Sequence, residues 1–244
     1  MEVERNVNDA VSALEDLGAD LVVLPELFNT GYALTRGELE AGAEELPGGY
    51  TAERLSELCR AKGMAVVAGV AEKRTNKFYN SAALITPSKV VVHRKVHLFG
   101  KEKELFEPGD TFGVHRYKRV MIGMMVCFDW FFPESCRTLM LKGADVIAHP
   151  ANLVLPFWPK AAVTRAVENR VFIATASRIG DERGIHFIGR SQIVSPGGKI
   201  LASAGRRRVE QAVVEVDPSE ARDKTVTPYN DIVGDRRPEA YELP

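Results

Sequence analysis

Cysteine is scarce in this chain. Only Cys59, Cys127 and Cys136 occur among 244 residues, an odd number without the spacing of a scaffold. A disulfide framework is therefore excluded, and with no signal peptide visible a reducing, cytoplasmic setting is expected. No apolar run approaches the length of a membrane span, so no membrane role is expected. Neither sign of charge is in excess: 32 Lys and Arg stand against 33 Asp and Glu. That balance gives no reason to expect a nucleic-acid partner. The one basic run, Arg206-Arg207-Arg208, reads as a solvated loop between strands. Apolar residues are plentiful, at 45% of the chain, which is enough for a sizeable core in one large domain.

The periodicity sets out the elements. Val3, Val7, Val11, Leu14 and Leu17 form one face of a helix that ends at Gly18. A strand over 21–24 follows. A helix over 51–62 is expected, with Thr51 as N-cap and Gly63 as its stop. Strands are expected at 64–70, 80–86 and 89–94, the last two joined by a tight Pro87-Ser88 turn. A long charged and aromatic connection then spans 96–119. Beyond it come strands before Cys127 and at 145–149, 171–177, 192–194, 199–202 and 212–216, with helices over 133–142 and 159–169. Residues 225–244 are polar and Pro-containing, and read as an arm. The mixture of strand–helix units and hairpins implies mixed sheets with helices outside.

Chemistry points to Cys127. It ends the apolar run Val120–Val126 and precedes Phe128-Asp129-Trp130-Phe131-Phe132-Pro133, where Pro133 suits the first turn of a helix. A thiol on such a turn is held at a sheet edge beside free backbone N–H groups, which suits a nucleophile facing an oxyanion. It needs a base and an electrophilic partner. Two other strand ends offer Glu26, after Leu21-Val22-Val23-Leu24-Pro25, and Lys95, after Lys89–Arg94.

The stretches LVVLPELFNTGY, HRKVHLFGKEKELFEPGD and GMMVCFDWFFPESCRTLMLKGADVIAHPAN resemble the nitrilase superfamily of carbon–nitrogen hydrolases. The family motif supplies Glu, Lys and Cys in that chain order, matched by Glu26, Lys95 and Cys127. The resemblance covers nearly the whole chain. It implies a four-layer α-β-β-α sandwich of two mixed sheets, with a hydrolase domain over 1–224 and the arm at 225–244 meeting another copy in a homodimer or higher homo-oligomer. The chain departs from the family at one point: the apolar strand that usually opens the fold is missing ahead of the first helix.

The resemblance also implies roles. Cys127 attacks carbon, Glu26 is general base and acid, and Lys95 stands beside the oxyanion. Glu102 holds Lys95 or helps place water, with Glu104 as its competitor. Glu134 and Arg170 form a supporting ion pair. Phe128 and Trp130, with Phe131 and Phe132, wall the site, and Asn152 contributes to the substrate pocket. His93 and His97 are four apart but lack a third ligand at convincing spacing, so they read as structural and no metal or organic cofactor is expected. Cys59 and Cys136 lie within helices and read as packing. The expected substrate is a small amide cleaved through a thioester. The alternatives are nitrile hydrolysis and, from another class, a non-catalytic assembly protein keeping the fold.

Overall fold

The computed structural model describes residues 2–241. Helix α1 (Val3–Glu15) comes first, and β1 (Leu21–Val23) follows. Next come α2 (Arg36–Gly42), α3 (Tyr50–Lys62), β2 (Ala65–Arg74), β3 (Lys77–Ile85), β4 (Val90–Arg94) and the short α4 (Glu102–Leu105). β5 (Val114–Tyr117) and β6 (Val120–Met124) lead into a 3₁₀ turn, Cys127–Phe131, and then into α5 (Pro133–Leu141). The second half contains β7 (Val146–Ala151), α6 (Trp158–Asn169), β8 (Phe172–Ser177), β9 (Ile179–Glu182), β10 (Ile185–Ile188), β11 (Gln192–Val194) and β12 (Ile200–Ser203). Among the described residues no helix is long and apolar enough to cross a membrane.

Two mixed sheets lie face to face. The first has the order β1-β2-β3-β4, with β1 parallel to β2 and the other pairs antiparallel. The second has the order β12-β11-β8-β7-β6-β5, with a parallel centre β6-β7-β8 and antiparallel flanks. Alternation along β2 explains the layering. Ala65 and Val67 face inward, against Ile122, Met124, Ile147 and Ala148 of the second sheet. Val66, Ala68 and Val70 face outward, under Val7, Val11 and Leu14 of α1 and Leu55 and Leu58 of α3. Leu139 and Met140 of α5, with Ala162 and Ala166 of α6, close the far side. The result is the expected α-β-β-α sandwich.

Three local expectations are corrected, and one helix is added. Thr51 does not cap α3; the N-cap is Gly49, and the buried Thr51 hydroxyl instead accepts from Asn29 Nδ2 at 3.3 Å. Residues 212–216 have a strand's period but join no ladder among the described residues, and a strand exists only through its partner. Glu134 is exposed and Arg170 turns away from it, with its Nε donating to Asp223 O at 2.6 Å. Helix α2 was not anticipated: it is short, and its start is marked by a capping box in which Thr35 and Glu38 satisfy each other's backbone N–H groups. No strand precedes α1 among the described residues, and the edge strand β1 stays half-buried. The tail from Thr225 is mostly exposed; residues 242–244 of the expected arm lie outside the described residues.

Two glycines let the backbone close on the strand ends that matter. A Cβ on Gly69 of β2 would fall 2.4 Å from Glu26 Cα and 2.6 Å from Pro25 O. A Cβ on Gly109 would fall 2.2 Å from Arg94 O, just before Lys95, whose carbonyl accepts the Gly109 N–H at 2.8 Å. At Gly69 a methyl has only rigid backbone to push against, and at Gly109 backbone and the Arg94 Cβ. Gly69→Ala is therefore expected to destabilise the protein by about 3 kcal/mol, the upper part of the overpacking range. Gly18→Ala, with nothing within 4 Å of its Cβ, should stay within about 0.5 kcal/mol of the parent. Urea unfolding of the two variants beside the parent checks this.

Candidate active site

Three strand ends converge between the sheets. Lys95 follows β4 and is fully buried, yet it carries an ammonium. Its Nζ donates to Glu26 Oε1 and to Glu102 Oε1, each at 2.8 Å. Burial alone would pull the Lys95 pKa down; the charges of Glu102 and then Glu26 outweigh it and hold the pKa above its ordinary value. Glu102 opens α4, with Oε2 accepting the Phe99 N–H at 3.2 Å and Oε1 accepting the Tyr32 O–H at 2.7 Å. Glu26 Oε1 also accepts from Asn80 Nδ2 at 2.7 Å, whereas its Oε2 has no partner among the described residues. Burial pushes the Glu26 pKa up, Lys95 opposes this, and Glu102 adds to it, so the net direction is upward. That upward direction, with one oxygen free, suits Glu26 to take up and return a proton.

Cys127 stands at the start of the 3₁₀ turn with φ of +38°, a left-handed conformation that only surrounding bonds can hold in a non-glycine residue. Two sets of bonds supply the restraint. Asp129 is completely buried and accepts from Val126 N and His97 N, both at 2.9 Å, and from the ring nitrogens His97 Nδ1 at 2.9 Å and His93 Nε2 at 3.4 Å. Burial pushes the Asp129 carboxyl up, but these bonds prevail and hold it well below the usual range. On the other side, His149 Nε2 lies 3.0 Å from Cys127 O. A carbonyl only accepts, so Nε2 carries the hydrogen, and neutral Nδ1 accepts from Thr175 Oγ1 at 3.1 Å. Thr175 Oγ1 in turn accepts from Trp158 Nε1 at 2.9 Å.

Cys127 is buried, with 9% of its surface exposed. Burial first and Glu26 second push the Cys127 thiol well above its ordinary range, against the pull of Lys95. A protonated thiol beside a carboxyl with a free oxygen needs that carboxyl to take its proton. Cys127 Sγ lies 3.8 Å from Asn152 O, and Asn152 Nδ2 donates to Glu26 O at 2.8 Å, tying the second sheet to the first across the site. Phe128, as one of the first amides of its turn, has no acceptor within the turn. A small cavity of about 20 Å³, room for one water, is lined by Phe99, Phe128, Trp130, Asn152 and Leu155 beside Cys127. A larger groove of about 380 Å³, lined by Ser195, Lys199, Glu215 and Glu220 among others, is open to solvent and does not include Cys127.

The structure thus brings together Glu26, Lys95, Glu102 and Cys127, with Phe128, Trp130 and Asn152 on the cavity wall. Phe131 is half exposed and Phe132 stacks on His97 at 3.7 Å, so neither lines it. Glu104 makes no contact with Lys95 among the described residues, whereas Glu102 does. His93 and His97 both serve Asp129. Sequence reasoning missed Tyr32, Asn80, Asp129 and His149 as members of this cluster. Of these, Asp129 had a usable signal: a carboxylate two residues after the cysteine, at the opening of a helical turn.

A carbon–nitrogen hydrolase family model matches residues 2–224. A protein named nitrilase from Pyrococcus abyssi is 47% identical over 99% of this chain and 94% of its own length. An (R)-stereoselective amidase from a Pseudomonas species is 35% identical, covering 88% of this chain and 78% of its own. The amidase of Nesterenkonia sp. AN1, in a structure recording Michael addition of acrylamide at its active site cysteine, superimposes with a TM-score of 0.79 at 27% identity, over 98% of this chain and 92% of that one. This chain belongs to the carbon–nitrogen hydrolases, and it is an enzyme of that family.

Burial holds the His149 pKa down to about 4, from an ordinary 6.5. An unfolded chain binds a proton below 6.5 that the folded chain refuses until about 4, so stability falls as pH falls through that window. His149 alone should account for a loss on the order of 3 kcal/mol between those limits. His149→Gln, which keeps a donor for Cys127 O, should flatten that slope, as read by urea unfolding at stepped pH.

Proposed function

We propose that this carbon–nitrogen hydrolase cleaves the C–N bond of a small uncharged amide through a thioester on Cys127, releasing ammonia and a carboxylic acid. The observation that carries the reading is a fully buried ammonium, Lys95, bound at 2.8 Å to both Glu26 and Glu102 beside a buried thiol. The sulfur adds to the carbonyl carbon while Glu26 takes its proton. The new oxyanion is met by Lys95 and the Phe128 N–H. As the C–N bond breaks, Glu26 returns the proton to nitrogen and ammonia leaves. Water then adds to the thioester and gives its proton to Glu26. The C–S bond breaks, and the sulfur regains a proton. The cavity wall, mostly apolar and without a charged side chain among its described lining residues, suits a short uncharged acyl group.

A second reading, nitrile hydrolysis, is favoured by the name of the Pyrococcus relative. There the sulfur adds to a nitrile carbon, water adds to the thioimidate, and ammonia leaves from the same kind of tetrahedral centre. Both readings end in one acyl-enzyme. A panel of short aliphatic amides and nitriles, with ammonia release measured and the acyl-enzyme trapped for mass spectrometry, separates them. Amides turned over faster than their matched nitriles support the first reading, and the reverse order supports the second. Cys127→Ala should lose kcat on the order of a million-fold, as removal of a nucleophile does. Turnover undiminished in that variant would sink both readings.

A homo-oligomer is part of the same proposal. Phe131, Leu141, Phe157 and Val167 are exposed on and beside the two helices flanking the nucleophile, and the tail exposes Val226 and Tyr229. These apolar side chains suit a second copy rather than water. Deleting residues 225–244 should lower the mass measured by light scattering after size exclusion; an unchanged mass would remove the arm from the contact.

A further inference from the structure

The two carboxylates on Lys95 are not equivalent. Glu102 accepts from Lys95 Nζ at 2.8 Å and Tyr32 O–H at 2.7 Å on one oxygen, and from Phe99 N–H at 3.2 Å on the other. Glu26 accepts only through Oε1, and its Oε2 is bare among the described residues. Three donors favour a carboxylate over a carboxylic acid; one free oxygen leaves room for a proton.

The difference between the two centres on Tyr32. Its ring meets Phe187, itself fully buried, edge-on at 5.8 Å and 83°. Its backbone N–H donates to Glu182 Oε2 at 3.1 Å. Both partners belong to the β9–β10 hairpin, and Arg178 holds that hairpin by pairing with Glu182 and lying 4.9 Å over Phe187. The ring is thus gripped from the far side and its hydroxyl is aimed at Glu102. Burial, and then the charges of Glu102, Glu26 and Cys127, push the phenol above its ordinary range, so it remains a donor.

We propose that Tyr32 is a positioning residue that divides the protons of the site: its O–H keeps Glu102 as the fixed anion under Lys95 and leaves Glu26 as the carboxyl that gains and loses a proton. The inference rests on the role given to Glu26 above. The ionisable groups facing Glu102 are Lys95 from β4, Glu26 after β1, Cys127 from the 3₁₀ turn and Tyr32 itself; Glu182 and Arg178 face Tyr32 from the hairpin.

Infrared titration of the protonated-carboxyl stretch tests it without any substrate, so it is readable even if hydrolysis is not found. In the parent the site's protonated-carboxyl band should vanish in Glu26→Gln. In that Glu26→Gln protein, a separate band that grows in only on further acidification is assigned to Glu102 by its loss on adding Glu102→Gln. Adding Tyr32→Phe instead removes one hydrogen bond to a charged acceptor and should raise the Glu102 midpoint by about one pH unit. Phe keeps the ring on Phe187, so the melting temperature of Tyr32→Phe should fall by no more than that one-unit shift carries, about 1.4 kcal/mol of stability. Coincident Glu102 midpoints with and without the hydroxyl overturn the proposal, as does a parent band that survives Glu26→Gln. A lowered melting temperature with an unmoved midpoint assigns Tyr32 to packing alone and also overturns it.

Discussion

The site depends on one buried ammonium. A lysine without water around it is stable as a cation only if nearby charge repays a desolvation cost of several kcal/mol. Here two carboxylates do so, each at 2.8 Å. Two carboxylates against one ammonium leave the cluster one negative charge in excess. Burial is what chiefly lifts Glu26 and the Cys127 thiol together, and the excess charge adds to the lift of the thiol. The chemistry therefore follows from an imbalance built into the burial, in which one proton has several places to go and geometry ranks them.

The nucleophile depends on a different restraint. A positive φ at Cys127 costs energy that a free chain would release by relaxing. Asp129 grips the amide of the residue before the cysteine, and His149 grips the cysteine's own carbonyl. The two grips come from opposite directions, one from the turn itself and one from β7. With the backbone pinned at both ends, the sulfur and the following N–H keep one orientation toward the space beside Lys95. Electrostatic stabilisation of an oxyanion depends on such donors being in place before charge develops.

How much of this was readable follows from how local each signal is. Glu26, Lys95 and Cys127 each close an apolar run, so their place at strand ends could be read from a few neighbouring residues. Gly63 and Pro133 marked helix limits for the same reason. Tyr32 and His149 carry no such mark: their partners are 70 and 22 residues away, and only the sheet order brings them near. Residues 212–216 misled because period alone does not supply a ladder partner. Thr51 misled because a threonine near a helix start satisfies the capping rule, while Gly49 had already taken the extended backbone conformation there.

The two halves of the chemistry stand on different sheets. Glu26 and Lys95 end strands of the first; Cys127 and Asn152 follow strands of the second. Their mutual distance is therefore the distance between the sheets, and that is set by the side chains between them. Ala65 and Ala82 on one side and Ala148 on the other keep that interior thin at its centre, while Val67, Leu84, Ile122 and Ile147 fill it elsewhere. A displacement of about 1 Å between reacting groups can cost a hundredfold in rate. Packing that looks purely structural in this fold is thus also a ruler for catalysis, and the Asn152–Glu26 bond at 2.8 Å is where the ruler meets the site. A larger side chain at Ala148 would spread the sheets and weaken that bond before it disturbed any charged group.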